Sequence, residues 1–317
     1  MPLLSVEDLH VHYGSAHAPV RAVDGVSLAL DAGETLGLVG ESGCGKSTLS
    51  HAILRLGRPT SGRIVFEGQD ITTQSRRKLA PVRSGMQMIF QDPYASLNPR
   101  QTIRKILTAP LHVHGIARGR EAAEIVTGMA EAVGLGPDAL DRFPHEFSGG
   151  QRQRIGIARA LILKPRLVIC DEPVSALDLS IQAQILNLLR RLQAERGPAY
   201  LFISHDLSVV RYISDRIAVM YLGRIVEMAP AHRLWQDPLH PYTRALIGAI
   251  PDATRRRAPD LLPPETGGRP AAGCRFANRC PLASARCLTE DPALHRASHG
   301  HQVACHHPGT SAAAAVA

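Results

Sequence analysis

The chain has 317 residues, 44% of them hydrophobic and 20% charged, with a formal net charge of +8. These proportions suit a soluble globular protein of one large domain plus an appendage, and no apolar run approaches the roughly 18 residues that span a bilayer. Met1-Pro2-Leu3-Leu4-Ser5-Val6-Glu7 lacks the basic and apolar regions of a secretion signal, and aromatics are too sparse at 4% to suggest a nucleic-acid surface. A cytosolic protein is expected, with membrane association made through a partner. A loosely basic surface would suit an anionic membrane.

Residues 3–13 and 20–30 read as strands separated by a polar excursion from Gly14 to Pro19. Tyr13 closes the first of them, either as a half-buried strand residue or as a platform on which an adenine ring could stack. The apolar run Thr35-Leu36-Gly37-Leu38-Val39 then leads into Gly40-Glu41-Ser42-Gly43-Cys44-Gly45-Lys46-Ser47, followed by Thr48 and a helix to about Leu56. A strand, this loop and a helix form the setting of a phosphate-binding loop. Its glycines let backbone N–H groups turn toward an anion at the positive end of the helix. Lys46 would bridge the outer phosphates and the Ser47 hydroxyl would hold Mg²⁺.

Arg63–Phe66 and Met86–Phe90 read as further strands, the second running into Gln91. A polar residue at a strand's C-terminal end is where an α/β sheet presents ligand groups. Two helices are expected over 101–135, split at Gly115–Gly119, and a loop from Pro137 to Phe147. Ser148-Gly149-Gly150-Gln151 opens a long helix through Leu163, where Lys164-Pro165 stops it. The apolar strand Leu167-Val168-Ile169-Cys170 delivers Asp171 and Glu172. A helix from Leu179 to Glu195, a strand Ala199–Ile203 and then His205 follow, again at the ligand edge. Two short strands flank Leu222-Gly223-Arg224, and a short helix lies around Tyr242–Ile250. The alternation predicts a mostly parallel sheet covered on both faces.

Past that helix lie a Pro- and Arg-rich linker (251–270), a cysteine module (273–307) and an alanine-rich tail expected to be disordered. Cys44 and Cys170 fall in the phosphate loop and an apolar strand. Cys274, Cys280, Cys287 and Cys305 are separated by five, six and seventeen residues. In a reducing cytosol such a cluster points to metal binding, although the spacing matches neither zinc ribbons nor ferredoxins. A module too small for its own core would need a staple. His295, His299, His301, His306 and His307 are possible zinc ligands beside the thiols.

In order, these motifs resemble the ATP-binding cassette (ABC) ATPases over about residues 3–235. Phe147-Ser148-Gly149-Gly150-Gln151 is similar to the family signature, Asp171-Glu172 to Walker B and Ser175-Ala176-Leu177-Asp178 to the D-loop. Gln91, His205 and Tyr13 resemble the Q-loop, the switch histidine and the aromatic A-loop. The phrases Phe90–Pro99, Glu172–Asp178, His240–Leu246 and Cys274-Arg275-Phe276-Ala277-Asn278-Arg279-Cys280-Pro281 resemble the oligopeptide/dipeptide (peptide/nickel) importer branch.

The resemblance implies a P-loop NTPase core with an N-terminal antiparallel β-subdomain and a helical subdomain at about 96–163. It implies a cassette over 1–235, a helix and linker over 236–272, the cysteine module over 273–308 and a tail over 309–317. ATP and Mg²⁺ would be bound, with Asp171, Ser47 and Gln91 around the metal, Glu172 as general base and His205 on the γ-phosphate. Ser148, Gly149, Gly150, Gln151 and Asp178 would act across a dimer on the nucleotide held by a second ABC ATPase, a heterodimer being favoured over a homodimer. Two membrane permeases and, indirectly, a solute-binding protein would complete an importer at the cytoplasmic face of the cell membrane. The cysteine tail would carry a [4Fe–4S] cluster on Cys274, Cys280, Cys287 and Cys305, with Zn²⁺ as the alternative. Nickel or glutathione as solute, or a soluble ABC ATPase of DNA repair or translation, are the other functions the motifs admit.

Overall fold

The computed structural model describes residues 1–15, 19–250, 272–298 and 300–309. Its strands are β1 (Leu4–Tyr13), β2 (Val20–Leu30), β3 (Thr35–Val39), β4 (Ser61–Phe66), β5 (Gln69–Asp70) and β6 (Met86–Ile89). They continue with β7 (Leu167–Asp171), β8 (Ala199–Ser204), β9 (Arg216–Tyr221), β10 (Arg224–Pro230), β11 (His295–Ser298) and β12 (His301–Val303). Two sheets result, a four-stranded one in the order β2-β1-β4-β5 and an eight-stranded one in the order β11-β12-β10-β9-β3-β8-β7-β6.

The first sheet is antiparallel throughout. In the second, β6, β7, β8, β3 and β9 run parallel, and β10, β12 and β11 extend it antiparallel. Every residue of β3, β7 and β8 is buried, the mark of a sheet covered on both faces. Alternation then divides each strand between two cores. Tyr200 and Phe202 of β8 join a core shared with the helical region, while Leu201 and Ile203 join one shared with the antiparallel sheet. The phosphate-loop strand β3 is therefore clamped from both sides.

Helices Ile103–Val113, Gly119–Ala132 and Gly149–Leu161 form the helical region. The expected loop over Pro137–Phe147 contains two 3₁₀ turns, Pro137–Asp141 and Pro144–Glu146. Among the elements the sequence reading passed over are β5 and the helices Arg76–Gly85, Leu207–Ile213 and Ala231–Gln236. Pro81 lies inside the first and reads as a breaker, and the other two have only seven and six residues, too few for a clear period.

The largest departure concerns the cysteine-bearing residues, expected as an appended module without a core. Instead β12 pairs with β10, adding β11 and β12 to the main sheet. Phe276 is 1% exposed. Its ring meets Tyr221 edge-on at 5.4 Å and Tyr242 at 5.6 Å, inside the main core. The wholly buried Glu227 of β10 accepts from the N–H groups of Leu239 (2.7 Å) and His240 (2.9 Å) and faces His301 Nε2 of β12 at 2.7 Å. A buried carboxylate persists only when partnered this fully. The expected linker (251–270) and the alanine-rich tail lie outside the described residues. Among the described residues, no helix is long and apolar enough to cross a membrane.

Candidate active site

The phosphate loop connects β3 to the helix Lys46–Ile53, with Gly45 at the N-cap. Gly45 has φ +108°, and a Cβ there would lie 2.1 Å from the carbonyl oxygen of Ala22, so only glycine fits. The Lys46 ammonium donates to the carbonyls of Gly40 (2.8 Å) and Glu41 (2.9 Å), folding back over its own loop. Burial pushes the Cys44 thiol up, opposed by the neighbouring Lys46 charge, so this cysteine behaves as a small neutral residue.

Strand β7 ends at the loop and brings the acidic pair with it. Ser47 Oγ donates to Asp171 Oδ1 at 3.3 Å. Burial pushes the Asp171 carboxyl up, against the lowering effect of the Ser47 hydrogen bond. A hydroxyl and a buried carboxylate side by side are a hard-oxygen pair suited to Mg²⁺. Glu172 adopts φ +46°, unusual for its type, which turns its side chain out of the strand direction. Its Oε2 accepts from Gln91 Nε2 at 3.1 Å and lies 3.2 Å from His205 Nδ1. Gln91 follows β6 and His205 follows β8, so three adjacent parallel strands each bring one group to one point.

Ser42, Gly43, Gly45, Lys46, Ser47, Thr48, Gln91, Glu172 and His205 line a single cavity of about 420 Å³. The structure thus brings together most of the residues expected around the nucleotide, with Asp171 held against the site through Ser47. Tyr13 stands apart at the end of β1 and is 52% exposed, the presentation a stacking platform needs. Ser148, Gly149, Gly150, Gln151 and Asp178 do not line the cavity. Ser148 caps its helix: its Oγ accepts from Gln151 N–H at 3.4 Å, and its own N–H reaches Gln151 Oε1 at 3.0 Å. The helix N-terminus at Gly149–Gly150 presents backbone N–H groups suited to an anion.

Two contributors, Arg279 and Arg275, were missed in the sequence. Glu41, inside the phosphate loop, receives a two-pronged hydrogen bond from Arg279, at 2.8 and 2.9 Å, while its N–H donates to the Tyr242 hydroxyl at 3.0 Å. Arg275, four residues earlier, donates to the Leu222 carbonyl and to Asp24. The segment between Cys274 and Cys280 therefore grips both the phosphate loop and the β1–β2 sheet. Its phrase was visible in the sequence, but nothing local showed that its arginines reach back more than 230 residues. Arg279→Ala is expected to weaken ATP binding about tenfold, since the bared Glu41 carboxylate would face the phosphates. Adding Glu41→Gln should recover most of the loss; fluorescent-nucleotide titration of both variants checks this.

The late cysteines converge. Phe276 N–H bonds the Cys274 sulfur, Leu282 N–H the Cys280 sulfur, and His307 N–H the Cys305 sulfur at 3.3 Å. Ser284 Oγ lies 3.5 Å from Cys287 Sγ. Burial pushes Cys274 and Cys305 up to about 11 and raises Cys280 as well. Of the candidate zinc histidines, His301 is committed to Glu227, His307 to Ser284 at 2.9 Å, and His306 to the Glu290 carbonyl at 3.0 Å. His295 bonds the Ala293 carbonyl at 3.2 Å, and His299 lies outside the described residues.

Residues 23–175 match the ABC transporter family model, and residues 226–287 match that of the oligopeptide/dipeptide transporter C-terminal region. Oligopeptide transport ATP-binding protein AppF of Bacillus subtilis is 54% identical over 294 residues, 90% of this chain and 89% of that one. A probable peptide ABC transporter ATP-binding protein of Sinorhizobium fredii is 52% identical over 98% of this chain and 92% of its own. Among solved structures, an ATP-binding cassette captured as a post-hydrolysis dimer with ADP and Pi matches with TM-score 0.66 and 27% identity. It covers 72% of this chain and 98% of its own. CbiO1 of Clostridium perfringens, part of an ABC transporter complex, matches with TM-score 0.67 and 27% identity over 74% of this chain and 91% of its own. The chain therefore belongs to the ABC transporter family of ATPases, in the group that carries the oligopeptide/dipeptide transporter C-terminal region.

Proposed function

We propose that this ATPase energises the import of peptides, working at the cytoplasmic face of the cell membrane beneath two permease subunits. The observation that carries the reading is Glu172, held between Gln91 and His205 at the mouth of the phosphate-loop cavity. ATP fits the cradle of Ser42–Ser47 with Lys46 swinging from the loop carbonyls to the outer phosphates. Mg²⁺, held by Ser47, Asp171 and Gln91, would neutralise phosphate oxygens. Glu172 takes the proton of the attacking water, and His205 and Gln91 fix its carboxylate and report the state of the γ-phosphate. The anion-binding end at Ser148–Gly150 completes the site across a dimer, with a second, similar ATPase as the partner. ATP closes the pair, and hydrolysis reopens it by removing contacts both subunits share.

Peptide as the solute rests on the names of the relatives and the 226–287 match. A solute-binding protein would deliver it to the permeases. The surface toward the membrane subunits is a groove of about 850 Å³ between the sheet and the helical region, lined in part by Leu56, Phe90, Gln91, Pro110 and Arg159. Leu56 and Phe90 in it, and Val113 in an adjoining pocket that shares Pro110 and Arg159, are exposed apolar residues, and an amphipathic permease helix is the partner such a groove fits. Uptake of labelled di- and oligopeptides into vesicles carrying the permeases tests the reading. Val113→Asp, on the exposed rim, should abolish uptake while leaving the ATPase rate of the free chain unchanged. Uptake of nickel or glutathione but no peptide would overturn the choice of solute.

We also propose that Cys274, Cys280, Cys287 and Cys305 hold a [4Fe–4S] cluster. The N–H and O–H donors beside their sulfurs and the prior commitments of the histidines support a group ligated by sulfur alone. Anaerobic purification should yield about four iron and four sulfide per chain; zinc or metal-free protein with four free thiols would refute it.

A further inference from the structure

A second cluster of metal-ligand side chains contains no cysteine. We propose that His10, His12 and Asp24 form a binding site for one divalent transition ion of the zinc class. His10 and His12 alternate on β1 and so share a face, and Asp24 faces them from β2. Asp24 Oδ1 lies 2.9 Å from His10 Nδ1 and 3.4 Å from His12 Nε2, and all three ligand atoms fall within 4.8 Å of one another. An ion with bonds of 2.0–2.1 Å to nitrogen and oxygen needs ligand atoms about 3.3 Å apart, so this triangle is close to size.

The surroundings have the pattern of an outer shell. The other ring nitrogen of His10 lies 3.2 Å from Asp8 Oδ1. A neutral imidazole has one N–H, so without an added cation one of its two carboxylate contacts sets a lone pair against an oxygen. A metal on Nδ1 removes the conflict and leaves Nε2–H to donate to Asp8. The second oxygen of Asp24 is held by Arg275, with Arg21 at 3.9 Å, which leaves Oδ1 as the ligand atom. Backbone geometry makes the room. β1 bulges on either side of Leu9, Asp8 takes φ +44°, and a Cβ on Gly25 would come within 3.2 Å of Asp8 Oδ1. Two of the three ligands are half-buried and the third is buried, leaving a path for the ion.

The site also has a place in the machine. His12 adjoins Tyr13, and Asp24 N–H donates to the Gly223 carbonyl, whose own N–H donates to Cys44 of the phosphate loop. An ion here would brace the nucleotide platform and the phosphate loop together.

Titrating Co²⁺ alone into the untagged, full-length chain separates this site from the thiols, because nitrogen and oxygen ligands give weak visible bands without sulfur charge transfer. One equivalent with such bands is expected, lost in His12→Ala and in His10→Gln. Asp8→Asn keeps a residue that tolerates positive φ and should weaken binding about 10–100-fold. Nucleotide titration confirms that each variant is folded. Only sulfur-ligated Co²⁺ in the wild type, or visible bands that survive in His12→Ala, would overturn the assignment and leave a proton where the ion was placed.

Discussion

Glu172→Gln is expected to lower the ATPase rate by about 10²–10⁴-fold while leaving ATP affinity near that of the wild type, the range lost when a positioned general base is removed. Glutamine keeps an oxygen that can accept from Gln91 and face His205, so the arrangement at 3.1 and 3.2 Å survives. What it cannot do is take a proton from water. ATP then remains bound and the closed dimer accumulates. Phosphate release at saturating ATP, paired with size-exclusion chromatography in ATP and Mg²⁺, checks both halves. A wild-type rate would remove Glu172 from the role of base.

Gly149→Asp should have an effect of similar size by a different route. A Cβ on Gly149 meets nothing closer than Leu177 Cδ2 at 3.6 Å, whereas one on Gly150 would strike Ile181 Cγ2 at 2.6 Å. The first position therefore accepts a side chain without repacking. An aspartate there lies in the first turn of its helix, where a negative charge stabilises the isolated chain by about 0.3–1 kcal/mol. In the closed dimer the same carboxylate would meet a γ-phosphate, and like charges in contact cost several kcal/mol. Monomer stability is expected to hold or rise, single-chain ATP binding to persist, and hydrolysis to fall at least 10²-fold. Combining it with Glu172→Gln should abolish the ATP-dependent dimer. Hydrolysis at the wild-type rate would mean that Ser148–Gly150 never touches nucleotide.

The parts of the site legible in the sequence were those whose chemistry is local. Glycine spacing, the Lys46-Ser47 pair and acids at the end of an apolar run each encode their own geometry, and β3, β7 and β8 lie within a residue of where the apolar runs placed them. Convergence of Gln91, Glu172 and His205 followed from their shared position at the ends of parallel strands. The C-terminal segment could not be read this way. Its ten-residue stretches hold too few apolar positions for a period, and its role depends on Arg275, Phe276 and Arg279 meeting partners from distant parts of the chain. His10 and His12 alternate visibly, but their meeting with Asp24 depends on β1–β2 register and a bulge that composition does not specify.

The grip of Arg275 on Asp24 also orders events during synthesis. The two residues lie 251 positions apart. At roughly 5–20 residues per second, Asp24 waits some tens of seconds on the ribosome for its guanidinium. Until Val303 and its neighbours emerge, β10 is an open edge of the large sheet, and until Arg279 emerges Glu41 lacks its arginine. Nascent chains thus pass through a stage with an exposed edge strand and an unfinished phosphate loop, the combination most prone to off-pathway pairing. Closing both gaps with residues 275–303 makes nucleotide competence wait on a segment made more than 230 residues after the phosphate loop.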